Sequence, residues 1–267
     1  SRGRMNTLTQ PIPVTSTPLS RIVAPYLLEL RMELLRLLRT PAFALPMFLL
    51  PLGTYVLFAF AVAGEAVAKD HDTGRFMFAG FSLMAVTMAS LFACCPNLAL
   101  EREQGLLTLK RAQPAPPGAW LTAKIGAGVV SGAIAYLPIL VIAAVTGQAH
   151  LTATQLAAMS AVFIVGTLPF CAFGVMLGSL CSGSAAPGFA NLAYLPGLYL
   201  SGTFFPLPQA MHFQTVFWPH FHLNQLAFAA ADVTKFRWIP VEMALAALLG
   251  FSFLCGMVAY YRLKQRG

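Results

Sequence analysis

Long apolar segments without formal charge dominate the chain. Residues 40–64 and 76–100 contain no Asp, Glu, Lys or Arg, and neither do the 107 residues from 125 to 231. A bilayer core about 30 Å thick is crossed by roughly 20 apolar residues of a helix that rises about 1.5 Å per residue. Each of the two shorter segments can therefore hold one membrane span.

The long uncharged stretch needs to be divided by its polar and helix-breaking residues. Such residues occur at 147–150, at 182–184 and at 206–208. A last apolar segment ends in two tyrosines and an arginine at 260–262, which is typical of a helix leaving a membrane. The sequence therefore predicts an all-α polytopic membrane protein with six transmembrane helices, near 40–64, 76–100, 125–146, 156–180, 187–204 and 239–261.

The composition excludes an ordinary soluble enzyme, because 58% of the residues are hydrophobic and only 10% are charged, against about 25% in soluble domains. The formal charge of +8 could indicate nucleic-acid binding in a soluble protein. Here 13 of the 17 Lys and Arg fall on one side of the predicted spans and 4 on the other. The positive-inside rule then places both termini in the cytoplasm, and the charge needs no nucleic-acid partner. We expect a multi-pass protein of a bacterial plasma membrane.

Two short regions flank this transmembrane domain of residues 40–262. Residues 1–18 are polar and contain three prolines, which predicts a flexible tail, and 263–267 form a short cytoplasmic tail. Residues 19–39 place leucines at three- and four-residue spacing among charged residues. This pattern predicts an amphipathic helix lying in the cytoplasmic membrane interface, although a helix packed on protein would show the same pattern.

The segment after the second span carries acidic residues at its start and basic residues near its end, the order that suits a helix dipole. A glycine can bend the chain away from the span, and leucines lie between the charges. Residues 101–113 are therefore predicted to form a cytoplasmic coupling helix that docks on another protein, with a solvated loop as the alternative. The docking residues are Glu101, Glu103, Gly105, Leu106, Leu107, Lys110 and Arg111.

Prolines and aromatic residues interrupt residues 206–230, which predicts short re-entrant helices on the outer side before the last span. Three histidines lie there and raise the question of a metal or proton-relay site. His220 and His222 would face different sides of a helix, and no carboxylate or cysteine is close to them in sequence. No metal site is therefore expected.

Motifs for catalysis or ATP binding are absent from the sequence. It contains no G-x-x-x-x-G-K-[ST], G-x-S-x-G or H-E-x-x-H. The one acidic residue within a predicted span is Glu242, at the outer end of the sixth, where water access and the helix dipole favour an interfacial role. We therefore expect no catalytic residue and no proton coupling, so the energy source must be a separate protein.

Two short motifs carry a family resemblance. Residues 101–107, EREQGLL, followed by Pro114 and by Lys124, are similar to the element after the second span of permease subunits of type-2 ABC exporters. Residues 201–206, SGTFFP, are similar to the motif at the end of the fifth span in that family. The resemblance covers about residues 20–265 and includes the type V exporter fold.

The resemblance implies a transporter subunit without its own ATPase site. Two copies, as a homodimer among membrane lipids, would form the pathway, and each would bind a separate ABC ATPase subunit that holds ATP and Mg. The helices at 20–39 and 101–113 would transmit nucleotide-driven closure, with a minor contact at 181–186. The residues expected to line the pathway are Phe81, Met84, Met88 and Phe92 in the second span and Asn191, Tyr194, Leu198 and Phe205 in the fifth.

Aromatic and methionine side chains on these faces favour amphipathic or lipophilic substrates such as a drug, lipid or glycolipid. Two other classes of protein stay open at this point. A secondary transporter or channel acting alone would need buried ionisable residues or inverted repeats, and neither is evident. An integral-membrane transferase could use His220 or His222 with Asp232 at the outer face, but these residues do not form a recognisable catalytic set.

Overall fold

The computed structural model describes residues 19–112 and 118–266, and regular structure within these residues is helical throughout. A π-helical turn, Leu57–Val62, continues the second helix, and a 3₁₀ turn, Gln209–Met211, precedes the ninth. The α-helices are α1 (Leu19–Leu38), α2 (Pro41–Val56), α3 (Gly64–Lys69), α4 (His71–Glu103), α5 (Leu106–Ala112), α6 (Ala119–Thr146), α7 (Ala153–Leu180), α8 (Ala186–Leu200), α9 (His212–Thr215), α10 (Pro219–Ala230) and α11 (Val241–Arg266).

Five helices of the described chain are long and apolar enough to cross a membrane, which confirms a polytopic helical protein. They are α2 with its π-helical turn, α4, α6, α7 and α11. The predicted span at 187–204 corresponds to α8, whose 15 residues rise only about 22 Å. The chain turns at Gly202, whose φ of 73° is left-handed, and this turn follows directly on the helix end. The sixth crossing therefore stays a prediction.

Helix α4 forms the centre of the fold. Nearly all of its side chains from Phe78 to Cys95 are buried, and α2, α6, α7, α8 and α10 pack around it. Glycine permits the closest of these approaches: a Cβ on Gly178 of α7 would lie 2.6 Å from the carbonyl oxygen of Cys95. The core of this membrane protein is thus a helix enclosed by helices, held by close backbone contact.

The ends of α4 differ from the predicted span at 76–100. The helix begins five residues earlier, at His71, because the Asp70 carboxylate caps it by accepting a hydrogen bond from the Asp72 amide at 3.1 Å. It continues through Glu103, so residues 101–103 belong to α4 and not to a separate helix. The chain then turns at Gly105, with φ of 71°, and α5 follows, while residue 113 lies outside the described residues.

The flanking elements agree with the sequence pattern in kind. Short helices α9 and α10 occupy the interrupted segment at 206–230, and α10 begins at Pro219, a residue suited to the first turn. Helix α1 packs one face on α6, where Leu30 contacts Gly126, and exposes Leu27 and Leu28 on another. The alternative of a helix packed on protein therefore holds for one face. The predicted tail at 1–18 lies outside the described residues, and 263–266 continue α11.

Candidate functional site

Five charged side chains from four helices meet beside α5, and we call them the ion cluster: Glu33 and Arg36 of α1, Glu101 of α4, Lys110 of α5 and Lys124 of α6. Glu101 and Lys124 are each 1% exposed. The Lys124 ammonium lies 3.2 Å from both Glu33 and Glu101, and Lys110 lies 3.1 Å from Glu33. Arg36 donates a hydrogen bond to Glu101. Each ion thus has an opposite charge from another helix.

The electrostatics of the cluster keep Glu33 charged. Burial by itself would raise the pKa of this carboxyl, but the ammonium groups of Lys124 and Lys110 outweigh it and hold the pKa below its usual range. A buried ion pair adds little net stability over apolar packing, whereas losing one partner is strongly destabilising. The cluster therefore specifies how α1 and α5 sit on α4 and α6.

Two of the predicted docking residues point into the chain. Glu101 belongs to the ion cluster, and Leu107 is buried in an apolar cluster with Leu98 of α4 and Leu263 of α11. Neither side chain offers a free surface to a partner. In the sequence, Glu101 and Leu107 lie beside a predicted span and near exposed residues. The sequence gives no sign of their burial, because the side chains that bury them include ones from distant segments.

The outward surface at this end consists of other residues. Glu103 and Gly105 are exposed, and Leu106 is half-buried. Leu109, which the docking prediction omitted, is 63% exposed. Lys110 belongs to the ion cluster, and its ammonium also lies 3.8 Å from the Glu29 carboxylate. The side chain of Arg111 lies outside the described part of the structure. A leucine exposed on a short helix is the feature here that could contact another protein.

The turn between α7 and α8 is attached to the same end of α4. The Gly183 amide donates to the Glu103 carboxylate at 2.8 Å, and the Arg102 guanidinium donates to the Cys181 carbonyl at 2.6 Å. A Cβ at Gly183 would lie 2.5 Å from the Glu103 carboxylate and 3.2 Å from the Leu100 Cα, so a larger residue here would displace the Glu103 side chain. The predicted contact segment at 181–186 therefore lies beside the start of the α4–α5 turn.

Four of the eight predicted pathway residues line one cavity. This cavity has a volume of about 270 Å³ and lies between α2, α4 and α8. The contribution of α2 is not evident from the sequence, because that span is apolar on all sides. The cavity lining comprises Leu50 and Thr54 of α2, Phe58 of the π-helical turn, Met77, Phe81 and Met84 of α4, Leu195, Leu198 and Tyr199 of α8, and Phe204 and Phe205.

The other four predicted residues lie apart from the cavity lining. The Tyr194 hydroxyl is buried and donates to the Met84 carbonyl at 3.1 Å, and the rings of Tyr194 and Phe92 are 6.0 Å apart. Asn191 is exposed and donates to the Pro187 carbonyl, and Met88 is half-buried in the core. Tyr194 therefore joins α8 to α4 rather than facing the cavity.

The outer histidines are held separately. His220 is buried against the rings of Phe170 and Tyr194, whereas one ring nitrogen of His222 lies 2.7 Å from the Val216 carbonyl. His212 stacks on Trp238 with ring centroids 3.8 Å apart. Among the described residues, no group of three or more His, Cys, Asp or Glu is arranged to hold a metal ion.

Comparison with known proteins settles the family. The family model described as ABC-2 type transporter matches residues 26–230, well over half of the chain. The chain belongs to the ABC-2 type transporter family. It is also similar to YvfS of Bacillus subtilis (strain 168), a protein named provisionally as a transport permease, with 22% identity over 236 residues that cover 87% of this chain and 95% of the relative.

Membership confirms the resemblance drawn from the sequence motifs. It makes the chain a multi-pass membrane subunit of an ABC transporter. Membrane subunits of this family function with an ATP-binding subunit. The ion cluster and the exposed face of α5 therefore belong to a protein that has a partner to contact.

Proposed function

We propose that this chain is the permease half of an ABC exporter that moves an amphipathic or lipophilic compound, using ATP hydrolysed by a separate subunit. Two copies form a homodimer in the bacterial plasma membrane, with both termini in the cytoplasm. The observation that carries the proposal is the attachment of α5 to three other helices through the ion cluster, while Leu109 on α5 points outward.

This arrangement suits the transfer of movement from a docked ATPase. Lys110 fixes α5 to Glu33 of α1, and Lys124 fixes both Glu33 and Glu101 to α6. Displacing α5 alone would separate buried opposite charges, which is strongly unfavourable. Helices α1, α5 and the adjacent ends of α4 and α6 therefore move as one body when the ATPase pulls or pushes on α5.

The positions of the two chain ends support six crossings. Helix α1 contacts Lys110 and Lys124 at the α5 end of the molecule, and Leu263 near the end of α11 packs with Leu107 of α5. A chain that enters and leaves its membrane region on the same side crosses an even number of times. Five long helices account for an odd number, so we assign the sixth crossing to α8 with the segment that leads to α11.

The charge distribution supports the cytoplasmic placement of that end, because positive residues concentrate on the cytoplasmic side of membrane proteins. Lys110, Lys124 and Arg36 all lie there, and each of them pairs with a buried carboxylate. The outer ends carry Lys235, which pairs with Asp70 at 3.0 Å. Export as the direction of transport follows from the family resemblance.

Replacing Leu109 by Arg tests the docking assignment. The Leu109→Arg variant should lose the co-purified ATPase subunit and ATP-driven transport in reconstituted vesicles, because a guanidinium would be forced against the apolar surface that receives the leucine. Thr122→Arg, at an exposed position at the start of α6, adds the same charge elsewhere at this end and should retain both. Retention of a coupled ATPase by Leu109→Arg would refute docking through α5, and transport by vesicles that contain no ATPase would refute the ABC assignment itself.

A further inference from the structure

The cavity between α2, α4 and α8 lies toward the outer side of the membrane in the proposed orientation. Thr54 is about 20 Å along α2 from its cytoplasmic start at Pro41, and Met77 is about 9 Å from the outer start of α4, at 1.5 Å per residue. With a hydrocarbon core about 30 Å thick, Thr54 and Met77 fall in its outer half, whereas Met84, about 20 Å from the start of α4, lies just past the midplane. The cavity therefore runs from the outer half of the hydrocarbon core to about its middle, a depth at which the chains of amphiphiles are found.

The chemistry of the cavity wall selects hydrocarbon. None of the residues that line it is Asp, Glu, Lys, Arg or His. The Thr54 hydroxyl is already used, because it donates to the Leu50 carbonyl at 2.7 Å. A polar ligand group placed inside would lose its hydrogen bonds to water without replacement, which is strongly unfavourable.

The size and the mouth of the cavity limit what enters. Its volume of about 270 Å³ falls below the roughly 300–1,000 Å³ of pockets that enclose a drug-sized ligand. Tyr199 and Phe205 belong to the lining and are mostly exposed, and Tyr199 carries the side-chain hydroxyl of the lining besides that of Thr54. Met77 and Met84 provide a wall that adapts to chains of different shape. A hydrocarbon chain suits this apolar space, whereas a charged head group would find no charged partner in the lining.

We propose that this cavity binds the hydrocarbon chain of the transported amphiphile, with the head group outside near Tyr199. The cargo is then a chain-bearing amphiphile. This assignment rests on the proposed exporter function and narrows its substrate class.

Photolabelling of the purified full-length protein in phosphatidylcholine nanodiscs tests the site. The probe is lysophosphatidylcholine with a diazirine at the end of its chain, and labelled peptides are mapped by mass spectrometry. Labels are expected within residues 50–58, 77–84 and 195–205. Thr54→Phe fills the cavity and should lower that labelling roughly ten-fold, since about two methylenes of chain burial are lost.

Two matched variants keep this outcome interpretable. Val56→Phe adds the same ring at an exposed position of α2 and should be labelled like the parent protein. If Thr54→Phe unfolds, Leu195→Phe fills the cavity from α8 and takes its place. Unchanged labelling of a folded, filled variant would overturn the proposal.

A second probe distinguishes a bound single-chain amphiphile from bulk membrane lipid. Diacyl phosphatidylcholine with the same diazirine should label these peptides much less than the single-chain probe does. Equal labelling by both probes would show occupancy by bulk lipid and overturn the proposal. Labelling requires no ATPase, so its failure alongside intact ATP-driven transport rejects the chain site alone, while chain-site labelling without ATP-driven transport rejects the exporter function.

Discussion

Replacing Lys124 by Met is the most direct test of the ion cluster. The change removes the ammonium that lies 3.2 Å from both Glu33 and Glu101 and keeps most of the aliphatic volume of the side chain. Both carboxylates are buried, so neither can turn to water. The variant therefore holds two buried acids with one fewer counter-charge.

The expected loss of stability depends on the ion pairs that remain in the Lys124→Met variant. Removing one partner of a buried ion pair destabilises a protein by about 3–5 kcal/mol. Glu101 keeps its bond from Arg36, and Glu33 keeps Lys110 at 3.1 Å, so we expect the lower end, about 3 kcal/mol. For a chain of this size that corresponds to a fall in Tm of roughly 6–12 °C.

The loss of stability caused by Lys124→Met should be smaller at acidic pH. Lys124 and Lys110 lower the pKa of Glu33 in the folded state, so the stabilisation from its charge is fully present above its ordinary value of 4.5. It is lost as pH falls through the lower folded value. Removing Lys124 raises the folded pKa of Glu33, and the variant then protonates this carboxyl at a pH where the parent protein does not. The difference in Tm between the two proteins should therefore narrow below about pH 4.5.

Buried cysteines provide the assay. Cys94, Cys95, Cys171 and Cys255 are buried, so a thiol-reactive dye reports unfolding in detergent as these thiols become accessible. Lys235→Met is the matched control, because its pair with Asp70 is exposed and such pairs contribute about 0–1 kcal/mol. A Lys124→Met variant whose Tm lies as close to the parent as that of the control would refute the account of the ion cluster.

Two further predictions concern packing and topology. Gly178→Ala should destabilise the protein by about 1–3 kcal/mol in the same assay, because its Cβ would lie 2.6 Å from the Cys95 carbonyl oxygen. Gly250→Ala, whose Cβ would have no atom within 4 Å, should be neutral or stabilising. Equal effects of the two substitutions would contradict the close packing of α7 on α4. Cys181 is the half-exposed thiol of the turn before α8 and should react with an impermeant maleimide in inside-out vesicles but not in intact cells, with Thr234→Cys showing the reverse. Because burial raises the pKa of the Cys181 thiol, and Arg102 offsets this only in part, labelling should increase with pH, and labelling from outside would refute the proposed orientation.

The sequence located the long helices because each is an apolar window between charged or helix-breaking residues. It could not place Glu101. A carboxylate next to a span is ordinarily expected at the surface, and its partners, the buried Lys124 and the half-buried Arg36, are 23 and 65 residues away along the chain. The short length of α8 was equally hidden, because the residues after Leu200 remain apolar while the backbone turns at Gly202.

The cavity was only half predictable for a similar reason. Phe81 and Met84 recur at helical spacing, so a common face could be read from their pattern. The first span is apolar on every side, and nothing in it distinguishes Thr54 and Phe58 from residues that face lipid. Only the packing of α2 on α4 reveals which of its faces meets the cavity.

The two acidic residues of the 101–107 motif connect the end of the molecule at α5 to the cavity. Successive helical residues are about 100° apart, so Glu101 and Glu103 point to nearly opposite sides of α4. Glu101 bonds the cluster that holds α1, α5 and α6, while Glu103 accepts from Gly183 in the turn that begins α8. Helix α8 in turn supplies Leu195, Leu198 and Tyr199 to the cavity wall. Movement of α5 can thus reach the cavity through the end of one buried helix, because that end is bonded on both sides.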